Sequence, residues 1–151
     1  MTELFQRILV GIDSTESSLA AAKLAIELAR EHGSTLVLVH VVNEELAREL
    51  SHALGRPEDE VLRDLEANGR RYLNEARRLA SASGVPAQDV LRRGTPSVEL
   101  LAEARARQAT LLVLGKTSVP PLRLRVRGRV LQRILDAAEL PVLVVRQPER
   151  D

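Results

Sequence analysis

Short aliphatic runs alternate with longer amphipathic stretches along the 151 residues of the chain. Five runs have the length and the Val, Leu and Ile content of buried strands, and we predict strands at 7–13, 35–42, 89–91, 110–114 and 141–145. Between them apolar residues recur at helical spacing, and Gly33 and Gly84 stand where two of the helices should end. The four predicted helices begin after Ser14, at Glu58, at Pro96 and at Val130.

The segment 43–57 is mostly polar and ends at Gly55-Arg56-Pro57. We interpret it as a variable connection that contains no more than a short helical turn. The resulting order β-α-β-α-β-α-β-α-β is typical of right-handed crossovers and of a parallel sheet covered on both faces. The length suits a single domain, 1–151, with its own aliphatic core.

The chain has no cysteine, which excludes disulfides, thiolate zinc sites, iron–sulfur clusters and a cysteine nucleophile. The first residues lead directly into a strand pattern without the apolar core of a signal peptide, and no apolar run approaches about 20 residues. We therefore expect a soluble cytoplasmic protein with no membrane partner.

Charge is distributed unevenly although the net charge is only +1. Residues 116–135 contain six bases and no acid, so the remainder of the chain is net acidic. A basic segment of this kind favours a local anionic partner, and a solvated loop explains it equally well. The six bases are Lys116, Arg123, Arg125, Arg127, Arg129 and Arg133.

Two loops are candidates for a ligand site because ligands bind at the carboxyl ends of parallel strands. Asp13 and Ser14 follow the first strand, and Gly115, Ser118 and Gly128 follow the fourth. If these strands are neighbours, an acid on one side can hold ribose hydroxyls, and glycines on the other can hold phosphates at a helix N-terminus. Alternatively, Asp13 caps the first helix, Gly115 ends a strand and Gly128 starts a helix.

Other motifs give no catalytic or metal site. Gly115-Lys116-Thr117 looks like the end of a P-loop, but position 110 is Thr where that motif needs Gly, and Pro120-Pro121 cannot continue a helix. Each histidine has a structural interpretation. His32 lies at a predicted helix C-terminus, where it suits the dipole, and His52 lies in a solvated connection. His40 lies at a strand end, where its side chain is either hydrogen-bonded within the fold or part of the crevice.

Four segments resemble those of the universal stress protein family, and the resemblance covers nearly the whole chain. It implies an α/β fold, Rossmann-like, with an open, doubly wound five-stranded parallel sheet in the order 3-2-1-4-5 and four helices. The ending is the most specific of the segments, which are Ile8-Leu9-Val10-Gly11-Ile12-Asp13-Ser14, Gly94-Thr95-Pro96, Leu111-Leu112-Val113-Leu114-Gly115 and Leu140-Pro141-Val142-Leu143-Val144-Val145-Arg146.

Nucleotide-binding members of that family wrap phosphates with a loop of the form Gly, two residues, Gly, nine residues, Gly, then Ser or Thr. Gly115 and Gly128 match it, whereas Ser118 replaces the second Gly and Arg129 the final hydroxyl residue. The Cβ of Ser118 narrows the approach to a phosphate, but arginine supplies donors and a permanent charge. The nearby anion-binding candidates are Arg123, Arg125 and Arg127.

The resemblance further implies that Asp13 lies near the ribose and that Val41 offers its backbone to adenine. The implied ligand is ATP, with Mg²⁺ carried by the nucleotide and contacted by Asp13, and the implied role is stress-response regulation by binding. Slow hydrolysis of ATP is the most catalysis we expect. The implied nucleotide-binding residues are Ile12, Asp13, Ser14, Val41, Leu114, Gly115, Thr117, Ser118, Gly128, Arg129 and Val130.

An alternative is a dimeric scaffold that binds no nucleotide, which Ser118 and Arg129 favour. Its arginine loop would bind another anionic partner, but nucleic acid is not expected because no aromatic residue lies among the arginines. In either case the family resemblance implies a homodimer paired through the last strand. An apolar edge strand invites such pairing, and here it contains Val142, Leu143, Val144 and Val145.

Overall fold

The computed structural model describes residues 3–116 and 125–147, with side chains from residue 129 onward in the second range. Within those ranges a 3-10 turn, Glu3–Phe5, precedes five strands and five helices. The strands are β1 (Arg7–Gly11), β2 (Thr35–Asn43), β3 (Ala87–Gly94), β4 (Leu111–Lys116) and β5 (Val142–Arg146). The helices are α1 (Glu16–His32), α2 (Glu44–Leu54), α3 (Glu58–Ala82), α4 (Pro96–Ala106) and α5 (Arg125–Ala137).

The strands form one parallel sheet in the order β3-β2-β1-β4-β5, which confirms the predicted topology. Strand β1 is central, and its Ile8 lies in register with Leu36 of β2 on one side and Leu111 of β4 on the other. The chain runs outward from β1 through β2 and β3, then returns to β4 on the opposite side. The strand order therefore reverses between β1 and β4, where open α/β sheets bind ligands.

Alternate residues of β1 enter two separate apolar layers. Ile8 and Val10 pack with α1 and α3 on one face, and Leu9 packs with α4 and α5 on the other. All three are almost completely buried, and each such side chain contributes about 1.5–3 kcal/mol. The sheet is thus covered on both faces, as its aliphatic runs predicted.

Helix α2 is a correction, because the sequence analysis predicted four helices and a connection over 43–57. The Asn43 side chain accepts a hydrogen bond from the Leu46 amide at 3.1 Å and caps the helix. Leu46 and Ala47 are its buried residues, and Gly55 ends it in the left-handed conformation, with φ of 64°. Leu46, Leu50 and Leu54 recur at helical spacing, so the pattern of the helix is present in the sequence, and the polar composition of 43–57 obscures it.

Helix α5 is a second correction, because it begins at Arg125 and not at Val130. Lys116, the first base of segment 116–135, also belongs to a regular element, since it is the last residue of β4. Arginine is a good helix former, so a charged sequence such as that after Arg125 is compatible with a helix. Residues 117–124 lie outside the described part of the chain. Within that described part, no helix is both long and apolar enough to cross a bilayer.

Candidate functional site

A cleft opens over the carboxyl ends of β1, β2 and β4, at the point where the strand order reverses. Four helices contribute apolar side chains to its walls, so the cleft exists only in the assembled fold. These side chains are Leu46 of α2, Leu65 of α3, Pro96 and Leu100 of α4, and Val130 and Leu131 of α5.

Asp13 lies at the cleft, in the turn between β1 and α1, and is exposed. Thr15, and not Asp13, caps α1, because the Thr15 hydroxyl accepts from the Ser18 amide at 3.3 Å. The same hydroxyl donates to the Asp13 carboxylate, and Ser18 Oγ donates to the Asp13 carbonyl at 2.9 Å. The turn thus holds a carboxylate at the cleft with acceptor capacity left for a ligand.

His40 lines the cleft from β2 and is 6% exposed. Its Nδ1 lies 2.6 Å from the Ile12 carbonyl, and since a carbonyl only accepts, Nδ1 carries the proton. Burial lowers the pKa of His40, against opposing effects of the Ile12 hydrogen bond and the Asp13 charge. His40 is therefore neutral and fastens the end of β1 to β2, so both sequence interpretations of this histidine hold together.

Gly115 lines the cleft at the end of β4 and has a structural reason to be glycine. A Cβ at this position would lie 2.2 Å from the Ser17 carbonyl oxygen in the first turn of α1. The absence of a side chain lets α1 pack directly against β4. Gly115 is therefore more than a strand terminator.

One wall of the cleft is formed by side chains on one face of β2. Val39, Val41 and Asn43 occupy alternate positions there and all line the cleft, whereas His40 belongs to the other face. Asn43 is 9% exposed, and its oxygen is occupied by the α2 amide described above. This wall is apolar except for the amide group of one asparagine.

Formal charge is sparse in the cleft and dense beside it. Among the described lining residues only Asp13 carries a formal charge. Lys116 and Arg146, both exposed, are neighbours in register at the carboxyl ends of β4 and β5. Like charges in adjacent positions of a sheet repel, so this corner would be stabilised by a bound anion.

The structure brings seven of the eleven predicted nucleotide-binding residues together at the cleft: Ile12, Asp13, Ser14, Val41, Leu114, Gly115 and Val130. Arg129 is exposed on α5 and is not among the lining residues. Gly128 lies in the first turns of α5, with side chains there undescribed, as for Arg125 and Arg127. Thr117, Ser118 and Arg123 lie outside the described residues.

Sequence reasoning missed Asn43, Leu65 and Leu100 as lining residues. Asn43 carries a signal that was available, since an Asn followed by Glu44-Glu45 and then an apolar residue is typical of a helix start. Leu65 and Leu100 show no such signal, because their place at the cleft depends on how α3 and α4 pack.

This combination of an open parallel sheet and a cleft at its switch point defines a Rossmann-like α/β protein whose cleft lies where such sheets bind ligands. The model of the universal stress protein family matches residues 4–146, and the chain belongs to that family.

Individual relatives are similar over their whole lengths. Universal stress protein YxiE of Bacillus subtilis is 29% identical over 148 residues, which are 95% of this chain and 100% of that protein. A solved universal stress protein from Burkholderia pseudomallei is 25% identical and covers 96% of this chain and 98% of its own, with a TM-score of 0.75. The structure of the universal stress protein from Archaeoglobus fulgidus in complex with dAMP is 19% identical, with a TM-score of 0.66. The match covers 94% of this chain and 98% of that protein chain.

Proposed function

We propose that this chain is a stress-response regulatory protein that binds an adenine nucleotide, ATP in the first instance, in the cleft over β1, β2 and β4. The observation that carries the proposal is the combination of an apolar wall on β2 with an exposed carboxylate, Asp13, on β1. The complex of the Archaeoglobus fulgidus protein with dAMP supports the same ligand class.

The cleft has a separate chemistry for each part of a nucleotide. Val41 and its apolar neighbours suit the base, and the Asp13 carboxylate suits ribose hydroxyls. Phosphates would lie towards the N-terminal end of α5, because the helix dipole favours anions there. The positively charged side chains of Lys116 and Arg146, at the ends of β4 and β5, are also near that position. Mg²⁺ would enter with the nucleotide, held by phosphate oxygens and Asp13.

The proposal concerns binding and not turnover. Within residues 3–116 and 125–147, no group of three or more His, Asp or Glu side chains is arranged to hold a metal ion. His40, the buried titratable group of the cleft, is committed to the Ile12 carbonyl. Slow hydrolysis of bound ATP is the most catalysis that we propose. The proposed location is the cytoplasm, whose reducing conditions do not affect a chain without cysteine.

The test begins with the protein as purified, which is denatured and examined for released adenine nucleotide. Thermal and urea unfolding with Mg²⁺ and ATP then measure binding, because ligand at 100 times its Kd stabilises by about 2.7 kcal/mol. Asp13→Asn removes the charge and should weaken ATP binding about 10- to 100-fold. This is the loss in affinity expected when a hydrogen bond to a charged group, which contributes roughly 1.5–3 kcal/mol, is weakened.

Glu16→Gln is the matched control, since Glu16 is an exposed acid of the same turn that is not among the lining residues. Equal loss in both variants would assign the effect to general charge and not to the site. No bound nucleotide and no stabilisation by ATP would overturn the proposal.

A second candidate function is a dimeric scaffold, favoured by the sheet edge at β5. Within residues 3–116 and 125–147 that strand pairs with β4 alone, and its four aliphatic residues are no more than partly buried. We propose a homodimer through β5, which is compatible with either function. As a scaffold the dimer would use the arginines of segment 116–135 to bind an anionic partner other than a nucleotide.

A further inference from the structure

The side-chain oxygen of Asn43 takes part in a hydrogen bond of the fold, and its NH₂ group does not. The oxygen accepts from the Leu46 amide. Because a backbone N–H only donates, the atom facing it must be the oxygen, and the other atom of the side-chain amide is the NH₂ nitrogen. The NH₂ group makes no hydrogen bond within the described residues. The side chain therefore offers its NH₂ group as a donor, beside an oxygen that already accepts one hydrogen bond.

This free amide meets the cleft. Among the described residues, Ser34 Oγ is the only fully enclosed side-chain nitrogen or oxygen without a partner, so the Asn43 nitrogen retains contact with open space. Asn43 is nine-tenths buried and lines the cleft, so we take the cleft to be that space. The NH₂ group has no acceptor among the described residues, and a ligand in the cleft can supply one in place of water.

The strand order indicates which part of a nucleotide would lie beside Asn43. Phosphates belong at the β4–α5 side and the ribose at Asp13 of β1, so the base lies over β2. Adjacent strands are about 4.8 Å apart, and two steps, from β4 to β2, cover about 10 Å, the extent of a nucleoside. Asn43 is two residues beyond Val41 on the same face of β2, at the far end of that path.

We propose that Asn43 determines base specificity by donating a hydrogen bond from its amide to a ring nitrogen of the adenine. The inference rests on the proposed function, and it adds a polar contact that recognises an acceptor on the rim of the base. A site that hydrogen-bonds its ligand rejects analogues lacking the partner, since its own buried group is then left unpaired.

Asn43→Asp separates this role from the structural one. Aspartate keeps the oxygen that caps α2, ranks with asparagine as a cap and suits the helix dipole, so the melting temperature should not fall. It replaces the donor by an acceptor, so ATP affinity should fall at least tenfold. Asn43→Ala loses the cap as well and should lower both the melting temperature and the affinity.

Adenosine nucleotides with C–H in place of N1, N3 or N7 then identify the contact. The wild-type chain should bind one of the three about tenfold more weakly than ATP, and Asn43→Asp should show no further loss for that analogue. Equal ATP binding by wild type and Asn43→Asp, or equal binding of all three analogues by wild type, would overturn the inference. Failure of the wild type to bind any adenine nucleotide would instead overturn the proposed function.

Discussion

At the scale of single residues, His40 joins the stability of the fold to the shape of the cleft. Its imidazole holds the Ile12 carbonyl directly before Asp13 and is buried against α3. Protonation would place a charge in that interior which the Ile12 carbonyl and the Asp13 carboxylate compensate only in part, which is why burial lowers the pKa of His40.

A pH dependence of stability follows from this lowered pKa. The unfolded chain protonates His40 near pH 6.5 and the folded chain only at lower pH, so the unfolded state binds more protons between the two values. The contribution of His40 is therefore complete above about pH 6.5 and is lost as the pH falls towards the folded pKa.

His40→Asn keeps an amide donor for the Ile12 carbonyl and removes the titration. Urea unfolding from about pH 7.5 to about pH 5 should show the stability difference between wild type and His40→Asn shrinking as the pH falls. His52→Asn, at an exposed position of α2, is the matched control. A difference that stays constant across this range would show that His40 titrates alike in both states.

The sequence predicts which residues lie at the site only where they follow directly after a strand. Asp13, Ser14 and Gly115 follow aliphatic runs directly, so the topology rule places them at one edge. Leu65 and Leu100 reach the cleft through the packing of α3 and α4, a long-range property that local patterns do not contain. The family resemblance implies a place for Arg129 in the phosphate loop, whereas the helical path of α5 leaves it exposed.

At the scale of elements, α3 approaches β2 closely because Gly69 has no side chain. A Cβ at this position would lie 2.1 Å from His40 Nε2. In most helix interiors a change from Gly to Ala stabilises by about 1 kcal/mol. Here the methyl group must displace either the imidazole or the helix, and overpacking of that kind costs roughly 1–3 kcal/mol.

Gly69→Ala should therefore destabilise the chain, with the sign opposite to helix propensity. In a His40→Ala background the obstruction is gone, and the same substitution should become neutral or stabilising. A double-mutant cycle of urea unfolding measures this coupling. Stabilisation by Gly69→Ala in the presence of His40 would disprove the close fit.

Element prediction succeeded where burial was extensive and failed where it was not. The aliphatic strands and the long faces of α1 and α3 repeat apolar residues often enough to specify their periods. Helix α2 buries only Leu46 and Ala47, and its existence depends on the Asn43 cap and Gly55. Its helical spacing of leucines and its capping residues both indicate a helix, and they agree at its two ends.

At the scale of the whole molecule, the two edges of the sheet differ in chemistry. The β3 edge carries charged side chains held in ion pairs, including Asp89 with Arg70 and Arg77. The β5 edge is aliphatic, and Val142, Leu143 and Val145 turn towards the two apolar layers. Charges protect an edge strand from pairing, so β5 is the edge available to a second copy.

Val144 is the residue of β5 that tests the proposed dimer, because it is partly exposed and is not packed into either layer. Sedimentation should show a dimer for the wild type and a monomer for Val144→Glu. Val98→Glu is the matched control, since Val98 is an apolar residue of α4 that is 59% exposed, and α4 packs against β2 and β3, on the other side of β1 from β5. A wild-type monomer at high concentration would rule out this pairing.

The central position of β1 has a consequence for how the chain is made. Its two neighbours come from distant parts of the sequence, since Ile8 meets Leu36 and also Leu111. A ribosome adds about 5–20 residues per second, so β1 waits roughly 5–20 s for the second of these strands. Until β4 is made, the edge of β1 that later pairs with β4 has no strand beside it. The strand order that creates the cleft therefore leaves an open edge in the centre of the sheet until late in synthesis.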